Sequence, residues 1–196
     1  MKLFKRIFLF FLIFFLLFSI FLIMKYIKWE REFILQKNSL ICLDNVNYEA
    51  IDIGDKIKKF IISDSKSEFV VFTQEEVLYI LKENLKTPSN VTLNNICIDS
   101  QLGIRKIYLK YNLGNLRIPW IYLDLVKDKR ETAEIYIKEI GIGSINIPKF
   151  ISKNIISNIN RGISDAIILA NENQFLGREI KNIELLEDMV VIKGNL

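Results

Sequence analysis

From Ile7 to Met24 the chain runs IFLFFLIFFLLFSIFLIM, eighteen residues without one charge. At about 1.5 Å per residue such a run is roughly 27 Å long as a helix, close to the thickness of a bilayer core. No water-exposed surface accommodates it, so it predicts a membrane span over residues 7–24. Tyr26 and Trp29 follow at the interfacial position, and Lys25, Lys28 and Arg31 can carry their charges to the headgroups. A cleavable signal would have a shorter core and small residues near an A-x-A-like site. FLIMKYIKWE has none, so residues 1–31 read as an uncleaved anchor. The short N-terminus carries Lys2, Lys5 and Arg6, which predicts a cytoplasmic N-terminus and an extracytoplasmic C-terminal domain at a cell (inner) membrane.

The anchor also explains the charge. The whole chain of 196 residues has a formal net charge of +4, yet residues 1–31 hold six Lys or Arg and one acid. The remainder is close to neutral, so nucleic acid is not an expected partner. Cys42 and Cys97, in ICLD and ICID, can pair outside the cytoplasm or serve as small buried hydrophobes; spacing alone leaves both open.

Residues 32–64 read as a juxtamembrane stalk with short strands, and residues 65–196 as the domain proper. FVVF suits a buried strand. Thr73-Gln-Glu-Glu76 is a capping box, predicting a helix with Val77, Ile80, Leu81 and Leu85 on one face, ended near Pro88. From Val91 the apolar period changes to two: Ile107, Leu109, Tyr111 and Leu113 share a face, and Gly114-Asn115 fits a tight turn. LRIPWIYLDLV around Trp120 is apolar on both faces, as for a strand covered on both sides. Parity breaks between Ile137 and Ile140, where a bulge is expected. Ile151, Ile155, Ile159, Ile163 and Ile167 then predict a long helix from Lys149 to Ala170, entered through Pro148. Two strands turning at Glu187-Asp188 close the chain. The fold class is α+β: a membrane helix, then a curved antiparallel sheet against one long and one short amphipathic helix.

Chemistry is conspicuous for what is missing. The chain has no histidine, which removes His-based triads and His metal ligands. Neither cysteine has a CxxC neighbour, and acid pairs such as Asp52/Asp55 sit at turns or caps. No catalytic residue, metal or cofactor is expected, and the chain does not read as an enzyme. Gly141-x-Gly143 resembles the start of a dinucleotide fingerprint, but Asn146 stands where the third glycine belongs. Apolar alternation resumes at Ile145 and Ile147, so the stretch reads as a strand continuing past two residues without side chains.

The order of anchor, FTQEEVLYIL, antiparallel meander, IGIGSINIPKFI leading into a helix, and IELLEDMVVIKG resembles the single-span YpmS-like bacterial membrane proteins. More distantly it looks like YceB-type and other tubular lipid-binding (TULIP) domains, although no lipobox cysteine is present. The resemblance implies a lipid or other apolar ligand held between the late helix and the sheet. On this chain the implied lining is Ile118, Trp120, Tyr122, Ile142, Ile155, Ile159 and Ile163; the other reading of each is ordinary core packing, the default for an apolar stripe. The alternative expectation is a scaffold that binds protein partners in a cell-envelope assembly.

Overall fold

The computed structural model describes residues 2–36, 40–46, 52–85, 87–101, 103–127, 131–172 and 178–195. Its first element, α1 (Lys2–Gln36), is long and apolar enough to cross a membrane. It continues without a break twelve residues beyond Met24. Ser19, the one polar side chain within the apolar run, turns its hydroxyl back onto the Phe15 carbonyl at 2.8 Å, so no donor is left facing lipid.

Beyond α1 the fold is mixed α and β, with two antiparallel sheets rather than the single one expected. The larger sheet has the order β1 (Ile41–Cys42), β3 (Val91–Gln101), β4 (Ile104–Leu113), β6 (Ile121–Val126), β7 (Tyr136–Ile142) and β8 (Ile145–Asn146), with β5 (Leu116–Arg117) pairing the end of β4. The smaller sheet has the order β2 (Ser67–Thr73), β10 (Met189–Asn195) and β9 (Glu179–Leu185). Among the described residues three α-helices and a 3-10 turn (Leu43–Asn45) accompany the sheets: α2 (Ile53–Ile62), α3 (Gln74–Asn84) and α4 (Lys149–Glu172).

Local sequence chemistry accounts for several boundaries. The Thr73 capping box forms in full and starts α3. Asp52 caps α2 by accepting from the Asp55 amide at 3.0 Å. A helix therefore stands where weak alternation had suggested strands. Phe60 and its apolar neighbours Ile53 and Ile57 share one face, and that period outweighs the alternation. The parity break in β7 is a register shift opposite Asp124 and Leu125. The strand over the two glycines does not continue, however. It reverses at Gly143-Ser144, and β8 pairs back onto β7. Gly143 has φ +59°, the conformation that a two-residue hairpin turn reserves for glycine at its first position.

Cys42 and Cys97 lie directly opposite each other in the β1–β3 pair and form a disulfide, fully buried. Residues 32–64 thus contribute the end of α1, β1 and α2 to the folded body; residues 37–39 and 47–51 of that stretch lie outside the described residues.

Three apolar clusters hold the layers. Leu78 of α3 packs on Ile96, Ile98, Ile107 and Leu109 of the large sheet. Phe60 of α2 packs on Val70 and Phe72 of the small sheet. The third cluster lies on the opposite face of the large sheet and includes Phe33 of α1. The sheets are joined by buried Arg105, which donates to the Leu186 and Met189 carbonyls at 2.5 and 2.6 Å and so fixes the β9–β10 turn.

The long helix α4 is attached in an unusual way. Of its side chains only Ser152 is fully buried. Two asparagines hold it instead. Asn160 accepts from the Ile137 amide at 2.6 Å and donates to the Ile137 carbonyl at 3.0 Å. Asn171 accepts from the Ile180 amide at 2.8 Å, with a long contact back to the Ile180 carbonyl. Eleven residues make about three helical turns, so both asparagines lie on one face. Each amide stands in for the missing next strand, one at the outer edge of β7 and one at the outer edge of β9. Removing Asn160 strands a backbone donor and acceptor together, so Asn160→Ala is expected to destabilise the domain by about 1–3 kcal/mol. Denaturant unfolding, with amide exchange at Ile137 accelerated, is the check; unchanged stability and exchange would contradict this account of the edge.

Candidate functional site

Tyr26, Trp29, Glu30 and Phe33 follow one another at helical spacing and share the face of α1 that meets the large sheet. Phe33 lies 5.1 Å from the Trp120 ring and 4.6 Å from that of Tyr108, and it stacks on Trp29 at 4.8 Å. Tyr26 accepts from the Trp120 amide at 3.1 Å and donates to Glu30 Oε1 at 3.0 Å. The same Glu30 oxygen pairs with Lys110 Nζ at 3.1 Å, and that ammonium sits 5.5 Å from the Trp120 ring centroid. Gly143 completes the seat: a Cβ there would come within 2.8 Å of both Trp29 and Tyr26.

From Phe33 back to Tyr26, α1 passes from β1, β3 and β4 towards β6 and the β7–β8 turn. The helix therefore crosses the strands and leaves the sheet on its β7–β8 side. That is also the side on which α4 lies.

The residues expected to line one groove fall into separate settings. Trp120 and Tyr122 are buried on the face that α1 covers. The Tyr122 ring lies where a Cβ on Gly141 would stand, and its hydroxyl bonds Asn146. Burial, aided by the Asp124 and Glu139 carboxylates, pushes its pKa up to about 12. Ile118 is half-buried between β5 and β6. Ile142, next to Gly141, points to the other face by strand alternation and is 38% exposed. Ile155 on α4 is 55% exposed, whereas Ile159 and Ile163 are half-buried. The doubly apolar β6 is covered on both sides, as its sequence suggests, but one cover is the chain's own α1.

The flanks of α4 differ in chemistry. Ile151, Ile155 and Ile159, four residues apart, form an apolar flank. Lys149, Lys153 and Ser157, also four apart, form a basic one. With Lys138, Ile156 and Asn160 the latter borders an open cleft of about 520 Å³. Among the described residues none of these three lysines makes an ion pair. Neither the aromatic seat nor the lysine cleft was readable: the 26/29/33 spacing marks a helix face without naming the sheet it meets, and Lys138 sits on the shifted stretch of β7.

On the face under α1, Lys106, Asp124 and Glu139 stand side by side across β4, β6 and β7. Asp124 Oδ1 is 3.7 Å from Lys106 Nζ and makes no hydrogen bond among the described residues. No group of three or more His, Cys, Asp or Glu that could hold a metal occurs among the described residues.

Two outcomes follow from this geometry. In Gly143→Val both the positive φ and the crowding oppose the substitution, the backbone strain alone costing about 1–3 kcal/mol. It is expected to lift α1 from the sheet, seen as a red shift of Trp29 and Trp120 emission; an unshifted spectrum would contradict the seat. Asp124 has its pKa raised above the ordinary 3.8, first by burial and then by Glu139, with Lys106 and Lys138 only partly offsetting. A carboxyl raised in the folded state lends stability that is complete below 3.8 and lost as pH rises through the folded value. Asp124→Asn escapes that loss, so it is expected to gain on the parent at about pH 7 and to lose the gain by about pH 3. Denaturation midpoints at both values decide it, and a gain that persists in acid would refute the assignment.

No family model matches the chain, and no curated protein or solved structure matches it either.

Proposed function

We propose that this chain is a single-span membrane protein whose extracytoplasmic domain, without catalysis of its own, takes up a lipid acyl chain or other apolar ligand along the isoleucine flank of α4. The observation that carries the reading is the surface left open there. Ile151 and Ile155 are 57% and 55% exposed on the helix, and Ile142 is exposed on the adjoining hairpin. A run of large aliphatic side chains beside a sheet edge is costly in water, and each gains about 1.5–3 kcal/mol when fully covered. The resemblance to lipid-binding domains supports the same occupant. Trp120 and Tyr122 support the fold rather than the ligand, since α1 already occupies their face.

The orientation rests on two supports. The basic N-terminus favours the cytoplasm, and a buried disulfide belongs to an oxidising compartment. Membrane retention has a support of its own: Tyr26, Trp29 and Phe33 belong both to the end of the anchor and to the core of the domain.

Native mass spectrometry of the full chain, released from its membrane in mild detergent, tests the ligand. A lipid-sized mass increment is expected, and it should disappear in Ile151→Gln/Ile155→Gln while the disulfide and helix content persist. Only the ligand-free mass in the parent protein would sink the proposal.

A second reading, a scaffold for a partner in a cell-envelope assembly, draws on the same helix. Gly162 has open space around its missing side chain, and exposed Ala166 and Leu169 continue the apolar flank. A photocrosslinker at Leu169 in intact membranes would then recover one defined protein.

A further inference from the structure

The other flank of α4 carries a different message. Phe150 is 85% exposed, the highest value among the large hydrophobic side chains of the described residues, those of the apolar run of α1 included. It precedes Lys153 by three residues and Ser157 by seven, so it borders the basic flank rather than the isoleucine flank. Lys138 of β7 completes a group of three lysines about the open cleft with Ser157 and Asn160. An exposed phenylalanine beside clustered ammonium groups is ill suited to bulk water. It is well suited to the zone where acyl chains meet phosphates.

The fold shows why that zone is within reach. Asn160 bonds both backbone groups of Ile137 at the outer edge of β7, so α4 runs along the edge beyond which the sheet has only the two residues of β8. The anchor leaves the domain on that side, with Tyr26 and Trp29 wedged against Gly143 in the β7–β8 turn. The apolar run ends at Met24, two residues before Tyr26. The rim carrying Phe150 and the lysines therefore lies on the side of the domain from which α1 departs, and α1 is unbroken between its apolar run and the seat.

The geometry points to a second membrane contact: Phe150 enters the interfacial layer of the bilayer that α1 spans, and Lys138, Lys149 and Lys153 hold anionic phospholipid headgroups there. The domain then touches the membrane at two places, a spanning helix and an interfacial rim. The occupant is the anionic bilayer surface, reached by chemistry that any acidic phospholipid supplies. The contact rests on α1 crossing the bilayer, as proposed above. It does not require a ligand on the isoleucine flank, which faces away from the lysines.

The test uses the full chain in lipid nanodiscs containing doxyl-labelled phospholipid. Because the native cysteines are paired, a single added thiol can be labelled in turn at Phe150→Cys, at Ile13→Cys within the span, and at Glu83→Cys on α3. Quenching is expected at positions 150 and 13 and not at 83. The docked fraction at position 150 is expected to rise when phosphatidylglycerol replaces phosphatidylcholine. Each of Lys138→Gln, Lys149→Gln and Lys153→Gln should lower the docked-to-undocked ratio in phosphatidylglycerol, by roughly fivefold per charge removed. Quenching at 13 without quenching at 150 would overturn the rim contact and leave the spanning helix intact. Absence of quenching at both positions would overturn the two together. Quenching at 150 that ignores both headgroup charge and the lysine substitutions would remove the headgroup role.

Discussion

A helix that leaves a bilayer ordinarily passes into a linker, and the domain beyond folds without reference to it. Here Phe33 sits among Tyr108, Trp120 and Tyr122, beside the buried disulfide, so the helix end is one layer of the domain's core. The other layers are the large sheet and α3. Fully covered aromatic side chains bring about 1.5–3 kcal/mol each, and the polar groups at this seat are satisfied in series: the Trp120 amide donates to Tyr26, Tyr26 donates to Glu30, and Lys110 donates to the same Glu30 oxygen. The series adds direction to the apolar contact. Rings alone tolerate sliding, whereas a buried amide must meet its acceptor. The angle of the domain to α1 is consequently a property of the fold.

Edges form the second constraint. A domain with two small antiparallel sheets has several open strand edges, each inviting another chain. The chain closes them with different devices. The β1 edge is two residues long and locked by the disulfide. At β2, Lys56 of α2 donates to the Val71 carbonyl at 3.1 Å and pairs with Glu76 at 2.7 Å, tying strand, α2 and α3 together. The β7 and β9 edges receive the two asparagines of α4. Because those contacts are amide hydrogen bonds to backbone, α4 is held while burying little of its own surface. That economy leaves both its flanks free for something else.

How much of this was legible beforehand depends on the range of the interaction involved. Capping boxes, tight turns and periodicity are local, and α3, the Gly114-Asn115 turn, the bulge in β7, α4 and the closing hairpin were readable from the residues themselves. The reversal at Gly143 was missed because Ile145 and Ile147 keep the alternation of a continuing strand; only a positive φ at Gly143 separates the two paths. The covering of β6 on both faces was legible, but the identity of the cover was not. Trp120 and Tyr122 fitted both a groove lining and ordinary core, because an apolar face calls for a partner without naming it; they are core. The partner proved to be the chain's own helix, seventy-five residues and more earlier, and sequence distance carries no signal for such a contact. The lysine group shares that cause, since Lys138 meets Lys149 and Lys153 only after β7 shifts register and α4 lies along its edge.

The shared core also bears on whether the anchor could be dispensable. Loss of the chain up to Trp29 would remove the Tyr26 acceptor from the Trp120 amide and the ring stacked on Phe33. Loss up to Gln36 would uncover Tyr108, Trp120 and Tyr122 as well. A domain cut free in either way would expose a contiguous aromatic face of the kind that soluble monomers avoid. A peptidase that released the domain would thereby also destabilise it, whereas a retained anchor supplies the missing layer. Retention of α1 and folding of the domain are thus one requirement, met by the same side chains. It follows that the position of the β7–β8 turn, and of α4 held beside it, is set relative to α1 by those same side chains.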